Sequence, residues 1–95
     1  MVYAPEVKLD VQDAIDWYNK RQAGLGARFL KELKKYYGFI KKNPEGAAIK
    51  YDITRCCPLN KFPYMVHYRF DKENSTIYVD AVFNTSRDPE IWKDR

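Results

Sequence analysis

Five basic side chains in the second half of the chain, Arg55, Lys61, His67, Arg69 and Arg87, are interleaved with Tyr64, Tyr68 and Tyr78. Together, these residue types suit one kind of chemistry. Guanidinium forks bind phosphate oxygens, and aromatic rings stack on bases. With a histidine or tyrosine to move protons, the same set can cleave RNA without a metal. A 2′-hydroxyl attacks its own phosphate while cations stabilise the charged transition state. The same spacing has a plainer reading. Arg55 and Arg69 alternate in sequence with Asp52, Asp71 and Asp80, and cross-strand ion pairs would occupy them. His67 suits a structural place on a strand as well as a proton-transfer role.

Other chemistries lack their residues. The sequence has no P-loop, no Rossmann glycine pattern and no zinc-ligand spacing. A Ser-His-Asp triad would have to use the single histidine, His67, and no serine stands out as its nucleophile. Neither a metal nor a cofactor is expected. The adjacent cysteines Cys56 and Cys57 would point to opposite faces of a strand. They are expected to stay reduced, in a cytoplasmic protein.

The elements that must position these groups follow from Gly, Pro and hydrophobic period. Pro5 suits a first helical position, and Val7, Val11, Ala14, Ile15 and Tyr18 recur at helical spacing, so a helix is predicted over 5–21. Gly24-Leu25-Gly26 interrupts it. A second helix carries Phe29, Leu30, Leu33, Tyr36, Tyr37 and Ile40 and ends before Asn43-Pro44. A link this short makes an antiparallel hairpin. After Gly46 the period becomes two. Ile49, Tyr51 and Ile53 form one alternating set, Phe62 to Phe70 a second, and Ile77, Val79, Ala81 and Phe83 a third. Asp88-Pro89 can open a last helical turn. The expected fold is α+β: one domain over residues 1–95, with the two-helix hairpin on a small antiparallel sheet. That sheet is a three-stranded meander plus a short N-terminal strand. By parity, Met65, His67 and Arg69 should show on the face away from the helices.

The 95 residues carry net charge +4, but unevenly. Residues 25–50 hold seven basic and two acidic groups, while 1–24 sum to −1 and 51–95 to zero. Lys31, Lys34, Lys35, Lys41 and Lys42 share one broad stripe of the second helix. The stripe suits docking of an acidic partner, or is simply a solvated face. With 45% apolar and 16% aromatic residues the chain should fold. No apolar run approaches the ~18 residues of a membrane span. The N-terminus lacks the pattern of a secretory signal.

The ordered set Asp13-Ala14-Ile15-Asp16-Trp17-Tyr18, Gly24-Leu25-Gly26 with Phe29, Asn43-Pro44, Arg55, Leu59, Phe62-Pro63-Tyr64, Ala81-Val82-Phe83, Arg87, and Pro89 with Trp92 resembles the RelE/ParE superfamily of bacterial type II toxins. It is most similar to the ParE-like, plasmid-stabilisation branch. The resemblance implies the α-hairpin-on-sheet fold and a cognate antitoxin that neutralises the toxin. It also implies one of two targets: mRNA on the ribosome for RelE-like ribonucleases, or DNA gyrase for ParE-like members. Under the ribonuclease reading, Arg55, Arg69, Arg87 and His67 would be the catalytic set. Arg55 matches the arginine on the first meander strand and Arg87 the one after the last strand. Asn84 stands where many relatives carry histidine, and Trp92 is the aromatic residue near the position of a terminal tyrosine. Both departures favour the ParE-like branch. A non-catalytic, protein-binding descendant is a further alternative. Relatives have a full first strand; here Met1–Ala4 supply about 13 Å of extended chain at ~3.3 Å per residue. A stub is expected, or a start further upstream.

Overall fold

The structure, a computed structural model, describes residues 1–85. Its order is β1 (Val2–Tyr3), α1 (Pro5–Arg21), α2 (Leu25–Lys42), β2 (Ile49–Tyr51), β3 (Thr54–Pro58), β4 (Tyr64–Asp71) and β5 (Thr76–Asn84). Both helices match the 3.6-residue pattern. Pro5 starts α1, and Val7, Ala14 and Tyr18 are its buried stripe. Gly24 adopts φ +84° and caps the start of α2, a left-handed conformation that glycine enters without steric cost. Gly26 is a point of close approach between the helices. Its N–H donates to Asn19 Oδ1 at 2.8 Å, and a Cβ built there would lie 2.7 Å from the carbonyl oxygen of Ile15.

The sheet corrects the expectation in three places. It has five strands in the order β1-β5-β4-β3-β2 and is mixed, because the two-residue β1 pairs parallel with β5. The alternating run Ile49–Thr54 is not one strand. Asp52, at φ +47°, turns the chain, and Tyr51 pairs with Thr54 across a tight hairpin. Aspartate tolerates this conformation better than most residues, and Ile53 is left at the tip, 65% exposed. Last, β5 carries a bulge. His67 pairs with Ala81 and Tyr68 with Val79, so Asp80 is the extra residue. The bulge inverts parity beyond it. Val79 and Val82 face the helices, and Ala81 and Phe83 do not, contrary to the simple alternation.

The core lies between the hairpin and the sheet, around Phe29, Leu33, Val66, Tyr68, Val79 and Val82. At one end an aromatic cluster joins all layers: Tyr18, Phe29, Phe62 and Tyr64 have ring centroids 5.0 to 6.1 Å apart. Stacked and edge-to-face pairs of this kind add stability beyond their burial. On the outer edge of β5, Asp10 of α1 accepts the Val82 N–H at 3.1 Å.

Candidate functional site

Arg55, His67 and Arg69 do not converge. Arg55 pairs in register with Tyr68, a residue of the helix-side core, and Cys56 pairs with His67 on the opposite face. The sheet therefore lies between Arg55 and the His67–Arg69 side. The Arg55 guanidinium donates to the carbonyl oxygens of Glu45 and Ala47 at 3.0 and 2.7 Å, tying the α2–β2 loop to β3. Of the ion pairs proposed from sequence, one forms. Arg69 binds Asp80 through two hydrogen bonds of 2.7 and 3.0 Å and lies 5.1 Å over the Tyr78 ring. The hydrogen bond to Asp80 is the main cause that raises the Arg69 pKa. Asp71 instead closes the β4–β5 turn on Asn74. Arg87, Asp88, Pro89 and Trp92 lie outside the described residues.

His67 is on the predicted face, but that face is not open at its position. The residue is fully buried. Its Nδ1 is 2.9 Å from the Tyr51 hydroxyl and 3.4 Å from Cys56 Sγ, and the Phe83 ring centroid is 5.1 Å away. The hairpin at Asp52 brings Tyr51 here, and the β5 bulge brings Phe83. Neither neighbour follows from period-two alternation. Burial pushes the Cys56 thiol up to about 11, so it is protonated at neutral pH. This thiol is a packing group, because the nucleophilic form is the thiolate. Among the described residues no cluster of three or more His, Cys, Asp or Glu could hold a metal. None of the described helices is long and apolar enough to cross a membrane.

The lysine stripe of α2 is exposed, but it is not one surface. Lys31 and Lys35 border a cleft of about 760 Å³, floored by Tyr18, Leu25, Phe62 and Pro63. Lys34 and Lys41 border a different depression, beside Tyr3, Val11 and Tyr37. Lys42 borders a third, of about 620 Å³, with Phe39, Cys57 and Pro58. The first cleft gains two cations that the stripe did not include, Arg28 from the first turns of α2 and Lys61 from the β3–β4 loop. Glu32 builds that wall. It is buried and accepts the Lys61 N–H at 3.1 Å, a charge-assisted bond that pins the loop to the helix. Arg28 lies one turn before Lys31–Lys35 and was legible as a continuation of the stripe. Lys61 had no local signal.

No curated protein matches the chain. A solved structure from the chromosomal ParDE TA system of P. aeruginosa is similar in fold. Its TM-score is 0.77 at 11% identity, with 88% of this chain and 92% of that chain covered. A family model described as the ParE toxin of the type II toxin–antitoxin system parDE matches residues 1–89. The chain belongs to the ParE toxin family, the toxin component of type II toxin–antitoxin systems.

Proposed function

We propose that this toxin acts by binding its target rather than by cutting RNA, and that the target is DNA gyrase. The observation that carries this reading is that, among the described residues, Arg55, Arg69 and His67 are each engaged elsewhere, with Arg55 across the sheet from the other two. Metal-independent RNA cleavage needs cations and a proton-transfer group within reach of one phosphate. Here Arg55 holds a loop on the helix side, Arg69 is held by Asp80, and His67 is buried against Tyr51 and Cys56. Membership of a toxin–antitoxin system implies an antitoxin partner. The exposed lysines of α2, Lys31, Lys34, Lys35, Lys41 and Lys42, are the groups we assign to it, spread over the depressions they border, by charge complementarity with an acidic segment.

Two measurements test the proposal. Expression of the chain alone in bacteria should arrest growth. Purified protein should inhibit supercoiling by gyrase and leave mRNA intact in a translating extract. Cleaved mRNA with unaffected supercoiling would reverse the assignment and favour the ribonuclease.

A further inference from the structure

The cleft beside the N-terminal half of α2 holds more positive charge than the fold itself can use. Arg28, Lys31 and Lys35 line it from the helix, three and four positions apart, and Lys61 joins them from the β3–β4 loop. All four are exposed, and among the described residues none of them forms an ion pair. The acid in the lining, Glu32, is buried, with a carboxylate oxygen on the Lys61 N–H. Four cations and one carboxylate make a net +3 around the hollow. Like charges at these spacings oppose a helix. Arg28 adds a second conflict. It lies in the first turn of α2, at the positive end of the helix dipole, and that turn has no acidic residue. The other helix follows the ordinary arrangement, with Glu6 in the first turn of α1 and Lys20 and Arg21 in the last. A polyanion in the cleft removes both conflicts.

The rest of the lining is apolar and well braced. Phe62 and Pro63 border the cleft. The Phe62 ring is half-buried and packs edge-on against Tyr18 and Phe29, with centroids 5.0 and 5.4 Å apart. A ring held in this way offers a stacking surface at little further cost in side-chain ordering. We infer that this cleft binds a nucleoside polyphosphate, its base against Phe62 and Pro63 and its phosphates on Arg28, Lys31, Lys35 and Lys61. Three quantities agree on that class. A nucleoside diphosphate carries about −3 at neutral pH, since its terminal phosphate holds nearly two charges. Arg28 to Lys35 is ~10 Å of helix rise at 1.5 Å per residue, too far for one phosphate to meet all three cations but within reach of two or three in a row. The volume of about 760 Å³ falls inside the roughly 300–1,000 Å³ of small-molecule sites. Arginine supplies the fork that takes phosphate oxygens in pairs. A purine is favoured over a pyrimidine because it covers more of the Phe62 ring. A nucleic-acid strand is the poorer ligand. Residues 1–24 sum to −1 and 51–95 to zero, so outside the α2 segment a longer backbone meets no net attraction.

Calorimetry on the purified full-length chain tests this, with ADP, inorganic pyrophosphate and adenosine as probes in about 0.15 M salt. ADP should bind. Pyrophosphate, which lacks the base, should bind about tenfold or more weakly, and adenosine, which lacks the charge, more weakly still. The double variant Arg28→Gln, Lys31→Gln should lose about tenfold or more in ADP affinity. Lys34→Gln, Lys41→Gln makes the same change in net charge at the depression beside Tyr3 and should stay within about twofold of the parent. Phe62→Leu should weaken ADP and leave pyrophosphate unchanged. Thermal melts establish which variants are folded, and the comparison of the three probes on the parent chain needs no variant. The inference is overturned if ADP does not bind below about 1 mM, if pyrophosphate binds as tightly as ADP, or if the Arg28, Lys31 variant binds ADP as the parent does. It is overturned equally if both double variants lose affinity alike, or if a short single-stranded DNA displaces ADP at lower concentration. The readout needs neither toxicity nor gyrase, so it stands or falls apart from the target assignment.

Discussion

Two glycines on one helix should respond to alanine with opposite signs. At Gly26 the added Cβ would meet the Ile15 carbonyl oxygen at 2.7 Å and both terminal atoms of the Asn19 amide at 2.8 Å. Side-chain Asn19 could swing away, but only by giving up its bond to the Gly26 N–H, worth about 1 kcal/mol. The Ile15 carbonyl belongs to the backbone of α1 and cannot yield without moving that helix. Overpacking of this kind costs ~1–3 kcal/mol. The gain in helix propensity from glycine to alanine is at most about 1 kcal/mol. Gly26→Ala should therefore destabilise by roughly 1–3 kcal/mol, lowering Tm by about 5–15 °C in a domain of this size. Gly38, three turns later in α2, has nothing within 4 Å of its built Cβ. Gly38→Ala should stabilise by ~0.5–1 kcal/mol. Urea and thermal unfolding of the pair decide the matter. A neutral or stabilising Gly26→Ala would refute the claim that the hairpin is closed against this glycine.

Further outcomes concern the basic and nucleophilic groups. Arg55→Ala should cost about 2 kcal/mol in urea unfolding, since two bonds from a charged donor are lost. It should still arrest growth wherever it stays folded; a folded but harmless variant would point to a catalytic role. Arg69→Ala removes a pair whose side chains are 42% and 30% exposed. It should cost under ~1 kcal/mol and leave supercoiling inhibition unchanged. Cys56 should resist iodoacetamide at pH 8 in the native protein and react readily in urea. Burial raises its folded pKa from 9.0 to about 11. Its share of stability is then intact below pH 9 and is lost as pH rises through 11. Cys56→Ala should flatten that alkaline slope, and an unchanged slope would assign it to other groups.

The helices were legible because their signals are local. Pro5, the Gly24 turn, Asn43-Pro44 and a 3.6-residue stripe act over a few positions each. The sheet was legible in kind but not in parity. Alternation continues through Ile49, Tyr51 and Ile53 whether or not the chain turns at Asp52, and a bulge at Asp80 leaves alternating letters on both sides of it. Those two features placed Tyr51 and Phe83 around His67 and so decided the character of that face. Arg69–Asp80 could be anticipated, since both partners are side chains with visible charge. Arg55 could not be placed, because its acceptors are carbonyl oxygens that every residue carries. Lys61 is brought to the α2 cleft by long-range contacts, its N–H on the Glu32 carboxylate across 29 positions and its neighbour Phe62 packed on Phe29.

The carboxylate of Asp10 on the Val82 N–H has a bearing on how these molecules meet one another. Endless growth of stacked sheets requires each unit to present two competent borders, one to receive and one to offer. On the β1 side the border is a two-residue strand, and beyond it the amide a newcomer would seek is already engaged by a side chain of the same chain. Among the described residues the other border is β2, three residues long. Edge-to-edge pairing through that border would use it up on both molecules. By its described borders, this fold resists stacking of sheet upon sheet without any need of a covering partner.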